Sequence, residues 1–300
     1  MSFFYHPSPP DHLNITWYNL FLHEGMASLI FQLAIALPIA IGVFSKGSLA
    51  FVHGLALYVA LSFFSSFGAG FVNPHTTLVK FFMGKLPGQW WHLFIVLIAQ
   101  GVGSLFSVVI TLYSVPDQDT SGGLGVPVKS AAISNGYALL MEATGTFFLV
   151  LLDVLITDFV QRAVAGAAYL TYLAKTNGGN QDSINVQRYN NALYGGGVTQ
   201  VFRLALGALL ALLVFMFFEQ TGASFNFWRW FIPAMWSGVS RDDWYIYVVG
   251  PILGAFVAWL VACLVLFLAD HSQSNNSPET DRTYIKNVER WWTNKKEKAL

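Results

Sequence analysis

Charge is scarce in this 300-residue chain: 11% of its residues are Asp, Glu, Lys or Arg. Soluble domains carry about 25%, so a surface facing water on all sides is excluded. Formal net charge is zero, and no basic face argues for nucleic acid as a partner. The one cysteine, Cys263, lies inside an apolar run, which excludes a disulfide within the chain and a CxxC metal site. Lys and Arg are missing from the first twenty residues, so no cleavable signal peptide is expected and the first apolar segment acts as its own signal. No nucleophile–base pair or metal cluster stands out. Neither an enzyme nor a cofactor is expected.

What is abundant is apolar sequence, 55% of the chain, with 16% aromatic residues. A membrane helix needs about 20 mostly apolar residues. Six segments qualify, at 22–43, 49–67, 90–113, 135–157, 199–218 and 243–268. Loops are expected at 114–134 and 158–198, and a solvated tail at 269–300 with a short helix at 281–298. Lys80, Lys85, Arg162, Lys175, Arg188 and six tail cations fall on one side of the membrane, against Lys46, Lys129, Arg229 and Arg241 on the other. That bias predicts both termini in the cytosol. The sequons at Asn14 and Asn275 then face the cytosol and read as chance matches. Trp90-Trp91 and Trp291-Trp292 read as interface anchors, as do His23 and His92 near segment ends.

The two halves echo each other. Gly68-Ala69-Gly70-Phe71-Val72-Asn73-Pro74-His75 recurs, altered, as Thr221-Gly222-Ala223-Ser224-Phe225-Asn226-Phe227-Trp228. Glu24-Gly25 in the first segment matches Glu142-Ala143 in the fourth, and Gln100-Gly101-Val102-Gly103 in the third has a counterpart in Gly250-Pro251-Ile252-Leu253-Gly254. Three segments plus an Asn-bearing stretch, used twice, form a repeat whose second copy is inverted in the membrane. The stretches 68–85 and 221–238 are too short after their Asn to span, so each is expected to dip in and return as a half-helix. Two such half-helices aim about half a positive charge each at the midplane, which repels cations, and the Asn73 and Asn226 amides stand ready to donate to a passing oxygen.

These marks, in this order, resemble the aquaporin (major intrinsic protein) family over residues 22–268: Glu24, Asn73-Pro74, Ile98-Ala99-Gln100 with Gly103, Glu142 with Gly145-Thr146, Asp158, Thr221-Gly222 before Asn226, Arg229 and Gly250-Pro251. The resemblance implies an all-α membrane protein of six transmembrane helices and two re-entrant half-helices, with repeat one at 22–113 and repeat two at 135–268. Residues 1–21 and 269–300 are then cytosolic ends. It implies a homotetramer in the lipid bilayer with one pore per chain, passing water and small neutral solutes such as ammonia, urea or glycerol. The membrane is the plasma membrane or an internal, vacuolar-type one. Glu24 and Glu142 are implied to hydrogen-bond the backbone of the re-entrant stretches.

The departures are as informative. The family's Asn-Pro-Ala reads here Asn73-Pro74-His75 and Asn226-Phe227-Trp228. Phe227 lacks the preset φ that favours proline at the first helical position. His75 and Trp228 either fill space toward neighbouring helices or narrow the pore. Carried over from the family pattern, the outer constriction is His53, Val214, Ala223 and Arg229, where Arg229 repels cations and offers a fork of donors. As a lone His in an apolar run, His53 also fits a packing residue. Its position is similar to that in plant vacuolar-membrane aquaporins that pass ammonia and urea. Trp230 stands where glycerol channels usually have Asp, which weakens a glycerol assignment. Asp153, deep in the fourth segment, either pairs with a neighbouring helix or sits near the cytosolic mouth. A non-conducting or gated membrane scaffold of the same fold is the alternative, favoured by the bulk of His75, Phe227 and Trp228.

Overall fold

The computed structural model describes residues 16–42, 44–65, 70–86, 90–115, 123–176, 197–237 and 242–276, with the backbone alone at 160–176, 197–198 and 270–276. Asn14, residues 177–196, the 281–298 helix and Trp291-Trp292 lie outside them. The described residues are helical and contain no strand. In chain order they form α1 (Trp17–Ala40), α2 (Lys46–Phe64), α3 (Pro74–Phe82), α4 (His92–Ser114), α5 (Asn135–Thr176), α6 (Gly197–Thr221), α7 (Phe227–Trp236) and α8 (Trp244–Asn276). Six of them are long and apolar enough to cross a membrane; α3 and α7, at 9 and 10 residues, are not.

Helix ends depart from the sequence expectations where polarity changes without a helix breaker. The first helix begins at Trp17 rather than 22. The stretch expected as a loop from 158 continues α5 to Thr176, just before Asn177-Gly178-Gly179. The expected solvated tail begins as helix, α8 running to Asn276 and thus over the Asn275 sequon, before Pro278. Hydropathy marks where the membrane ends, not where a helix stops. The connection before α5 is also less polar than expected. Gly123–Gly125 forms a buried 3-10 turn, and Leu124 is 1% exposed with φ 51°. A Cβ on Gly125 would lie 2.7 Å from Ala36 of α1.

Two compact units are present, 1–154 with 203–259, and 155–202 with 260–300. In the second, Phe159 meets Phe202 edge-on at 5.3 Å. In the first, α1 packs on α4 and α2, and α4 on α3 and α7. Backbones approach closely at small residues. The site of a Cβ on Gly103 is taken by Gly25 O, on Gly54 by Gly207 O, and on Gly254 by Ala143 O. Gly250 likewise faces Leu139 O at 2.9 Å. The small residues of α8 that suit close helix packing are therefore used inside the chain.

Candidate functional site: two re-entrant loops joined tip to tip

Both loops preceding the half-helices carry backbone that side chains usually avoid. Gly70 and Val72 have φ of 90° and 48°; Gly222, Ala223 and Phe225 have 75°, 46° and 49°. Positive φ is uncommon outside glycine and costly for a β-branched residue. Here it turns a run of consecutive N–H groups to one side, onto a buried carboxylate. Glu24 accepts from Gly70 N (2.6 Å), Phe71 N (3.0 Å), Val72 N (2.7 Å) and Gln100 Nε2 (2.8 Å). Glu142 accepts from Ser224 N (3.0 Å) and Phe225 N (2.7 Å). Both acids are fully buried. An unpaired backbone group at this depth is costly, so each carboxylate is what lets its loop remain non-helical.

The residues in the left-handed region just before each Asn do a second job. Asn73 Nδ2 donates to Phe225 O at 2.8 Å, and Asn226 Nδ2 donates to Val72 O at 2.7 Å. Each Asn Oδ1 also caps its own half-helix, accepting from His75 N and from Trp228 N at 3.0 Å. The clasp is reciprocal and ties the two repeats at the helix tips. One of the two hydrogens on each amide is held by the opposite loop, and the other remains for a passing solute.

The bulky departures have seats. Phe227, where proline is missing, stacks on Phe231 one turn later at 4.9 Å and 18°. A Cβ at Gly101 of α4 would lie 3.3–3.4 Å from three carbons of the Trp228 six-membered ring. Phe225 occupies the space a Cβ on Gly145 would need. His75 is buried, its Nδ1 3.1 Å from Asn73 Oδ1.

His53 and Arg229, 176 residues apart, come together. His53 Nδ1 lies 2.8 Å from Leu49 O, which can only accept, so Nδ1 carries the proton. Nε2 then presents a lone pair, and it faces Arg229 Nη2 at 3.3 Å. The neutral His53 is thus an acceptor for the arginine. Val214 and Ala223 are buried, at 0% and 1% exposure. Thr76 stands three residues after Asn73, where Arg229 stands after Asn226, so the two repeats differ in charge at equivalent places. On the Thr76 side a cavity of about 40 Å³ is lined by both asparagines, Leu61, Leu206, Thr76 and Asp153.

A model of the major intrinsic protein family matches residues 15–175 and 186–262. The chain belongs to the major intrinsic protein family. Aquaporin-4 of Mus musculus is 29% identical over 68% of this chain, and a probable TIP-type aquaporin of Medicago truncatula is 26% identical over 78% of it. The chain spans about half, 52%, of the length of aquaporin-4 and 76% of the Medicago protein. The X-ray structure of the aquaglyceroporin from Plasmodium falciparum superposes with a TM-score of 0.55 at 14% identity, covering 84% of this chain and 97% of that one. At that identity the likeness establishes the fold, which is aquaporin-like. The chain is an integral membrane protein of a family of channels, not enzymes.

Within that fold, one cation of the expected cytosolic set is buried. Lys80 was expected among cytosolic loop charges, yet it lies in α3, 6% exposed. Its Nζ is 2.7 Å from Asp153 Oδ2 and 5.1 Å from the centre of the Phe71 ring. Arg229, counted on the opposite side, is buried too, so the direction of the loop-charge bias is unchanged. The usable signal was an acid in a spanning segment and a lysine in a re-entrant one, since charges at membrane depth pair with each other. Gln100 and Thr77 were also missed as a pair; Gln100 Nε2 donates to Thr77 Oγ1 at 3.0 Å as well as to Glu24.

Proposed function

We propose that this chain is a passive channel for water and small neutral solutes, with its midplane at Asn73, Pro74, His75, Asn226, Phe227 and Trp228 and its constriction at His53, Val214, Ala223 and Arg229. The observation that carries the reading is the reciprocal Asn clasp. It fixes two helix N-termini against each other, and their positive ends disfavour cations there. Each asparagine keeps one N–H for a solute, and Arg229 adds donors and charge to one side only. Ammonia and urea fit the constriction better than glycerol does, because Val214 and Ala223 are small and no acid follows Arg229. We further propose 22–268 as the channel domain, both termini in the cytosol, a plasma or vacuolar-type membrane, and a homotetramer.

Stopped-flow measurements on proteoliposomes loaded with the full chain test this. Water permeability several-fold above empty vesicles is expected, with ammonia or urea flux above glycerol flux. The second reading, a non-conducting scaffold, is favoured by the contact of His53 with Arg229 across the proposed constriction. It predicts permeability equal to that of lipid alone for every solute.

A further inference from the structure

A second, smaller cavity of about 10 Å³ lies between α1, α4 and α7, lined by Gln32, Ser104, Ser107, Gly125, Trp228 and Arg229, with Ile35, Ala36 and Val108 as an apolar wall. It shares Arg229 with the proposed constriction and Trp228 with the proposed midplane, and neither Asn of the clasp lines it. The polar atoms around it are unusual. Gln32 Nε2, Ser104 Oγ, Ser107 Oγ, Trp228 Nε1, Arg229 Nε and Arg229 Nη1 are all buried without a hydrogen-bond partner among the described residues. Gln32, Ser104, Ser107 and Arg229 are each 5% exposed or less. Leaving so many polar groups unpaired in a membrane interior is costly, so the arrangement points to something bound.

We propose that this cavity is a binding site for a small, weakly hydrated anion of halide size. The first reason is the count of donors. The Gln32, Trp228 and Arg229 nitrogens can only donate. A water molecule accepts two hydrogen bonds, fewer than the four such atoms on offer, whereas a spherical anion accepts from all of them at once. The second reason is charge. Arg229 is cationic, and its one intraprotein side-chain bond goes to His53. No acid is among the described residues lining the cavity. Glu142, the acid whose field reaches Arg229, is bonded to Ser224 and Phe225 and does not line the cavity. The third reason is size. A volume of about 10 Å³ excludes sulfate and any carboxylic acid, and the apolar wall favours chloride or bromide over a strongly hydrated ion.

The test compares purified full-chain protein in bromide and in gluconate at equal ionic strength. Bromide should raise the melting temperature by about 2–4 °C in a saturating manner. Crystals grown in bromide should show an anomalous peak within hydrogen-bond reach of Gln32 and Trp228. Trp228→Phe, which keeps the ring and removes only the N–H, should weaken the apparent affinity roughly tenfold, as should Gln32→Leu. If Trp228→Phe does not fold, Ser107→Ala carries the same comparison. Equal melting in the two salts, a shift that these variants leave unchanged, or water without bromide at that position would each overturn the proposal. None of these readouts depends on whether the chain conducts.

Discussion

Before Asn73, three consecutive backbone N–H groups point at Glu24; before Asn226, two point at Glu142, while the Ala223 N–H goes to the Thr221 hydroxyl at 3.1 Å. Repeat one also has Gln100 holding its carboxylate and Pro74 opening its half-helix. Repeat two has no proline there, three residues of positive φ in its loop, and a buried Arg229 with two unpartnered nitrogens. Three consecutive N–H groups are satisfied in each loop, all by one carboxylate in the first and by Glu142 together with Thr221 in the second. The second adds a charge and a set of buried, unpartnered donors, which is where a selective site would be placed.

The largest effect should come from removing the two acids. Glu24→Leu strands three backbone N–H groups, and Glu142→Leu strands two. Each stranded buried donor costs about 1–3 kcal/mol, so both variants should lose several kcal/mol and Glu24→Leu the more. Melting of the purified variants in detergent checks the order. A larger loss at Glu142 would reverse the comparison.

Trp228→Ala follows. Truncating a core aromatic costs about 3–5 kcal/mol; Trp228 is only partly buried, so the loss should fall at or below the low end of that range. Because its ring lies against Gly101, the variant, alone or with His75→Ala, should lose stability without gaining water flow. A rise in vesicle permeability well above the parent would place the ring across the pore instead.

Several of these features were legible in the sequence, and the reasons others were not are local. Six apolar runs of membrane length are a strong signal, and the duplicated Asn and Glu positions stand out once the two halves are set side by side. That helix continues to Thr176 and Asn276 was not visible, because hydropathy falls before the helix does. The reciprocal clasp depends on left-handed backbone at Val72 and Phe225, residue types that give no hint of it. Lys80 at the end of an apolar stretch looks like a loop cation until the fold brings Asp153 within 2.7 Å. Gly101 reads as a small residue in a helix until Trp228, 127 residues later, comes to lie on it.

A charge exchange sharpens the comparison at lower energy. Arg229→Thr gives repeat two the residue that repeat one has at Thr76. A unit charge acting on a cation at about 4 Å is worth about 4 kcal/mol near a protein surface. Proton or cation leak should therefore rise about tenfold or more while water flow persists. Ion flux through proteoliposomes, read alongside swelling, checks it; unchanged leak would put the charge barrier elsewhere.

The smallest effect is also the cleanest test of why the loops differ. Phe227→Pro restores at the start of α7 the residue that Pro74 supplies at the start of α3. The first helical N–H has no partner inside its helix, so losing it costs little, and a preset φ lowers the entropy of the unfolded chain. Such a change typically gains about 0.4–1 kcal/mol. Against it stands the lost stack of Phe227 on Phe231 at 4.9 Å, and aromatic pairs contribute about 0.5–1.5 kcal/mol beyond their burial. The two terms nearly cancel, so Phe227→Pro should leave the melting temperature almost unchanged. Phe231→Ala, which removes the stack and cannot supply the proline, should lower it. In the Phe231→Ala background, where only the edge contact of Phe227 with Trp228 at 4.9 Å remains to be lost, Phe227→Pro should then be more favourable than in the parent. If the proline destabilises in both backgrounds, the backbone at 227 does not accept it, and the second half-helix begins differently from the first for a reason other than the missing ring.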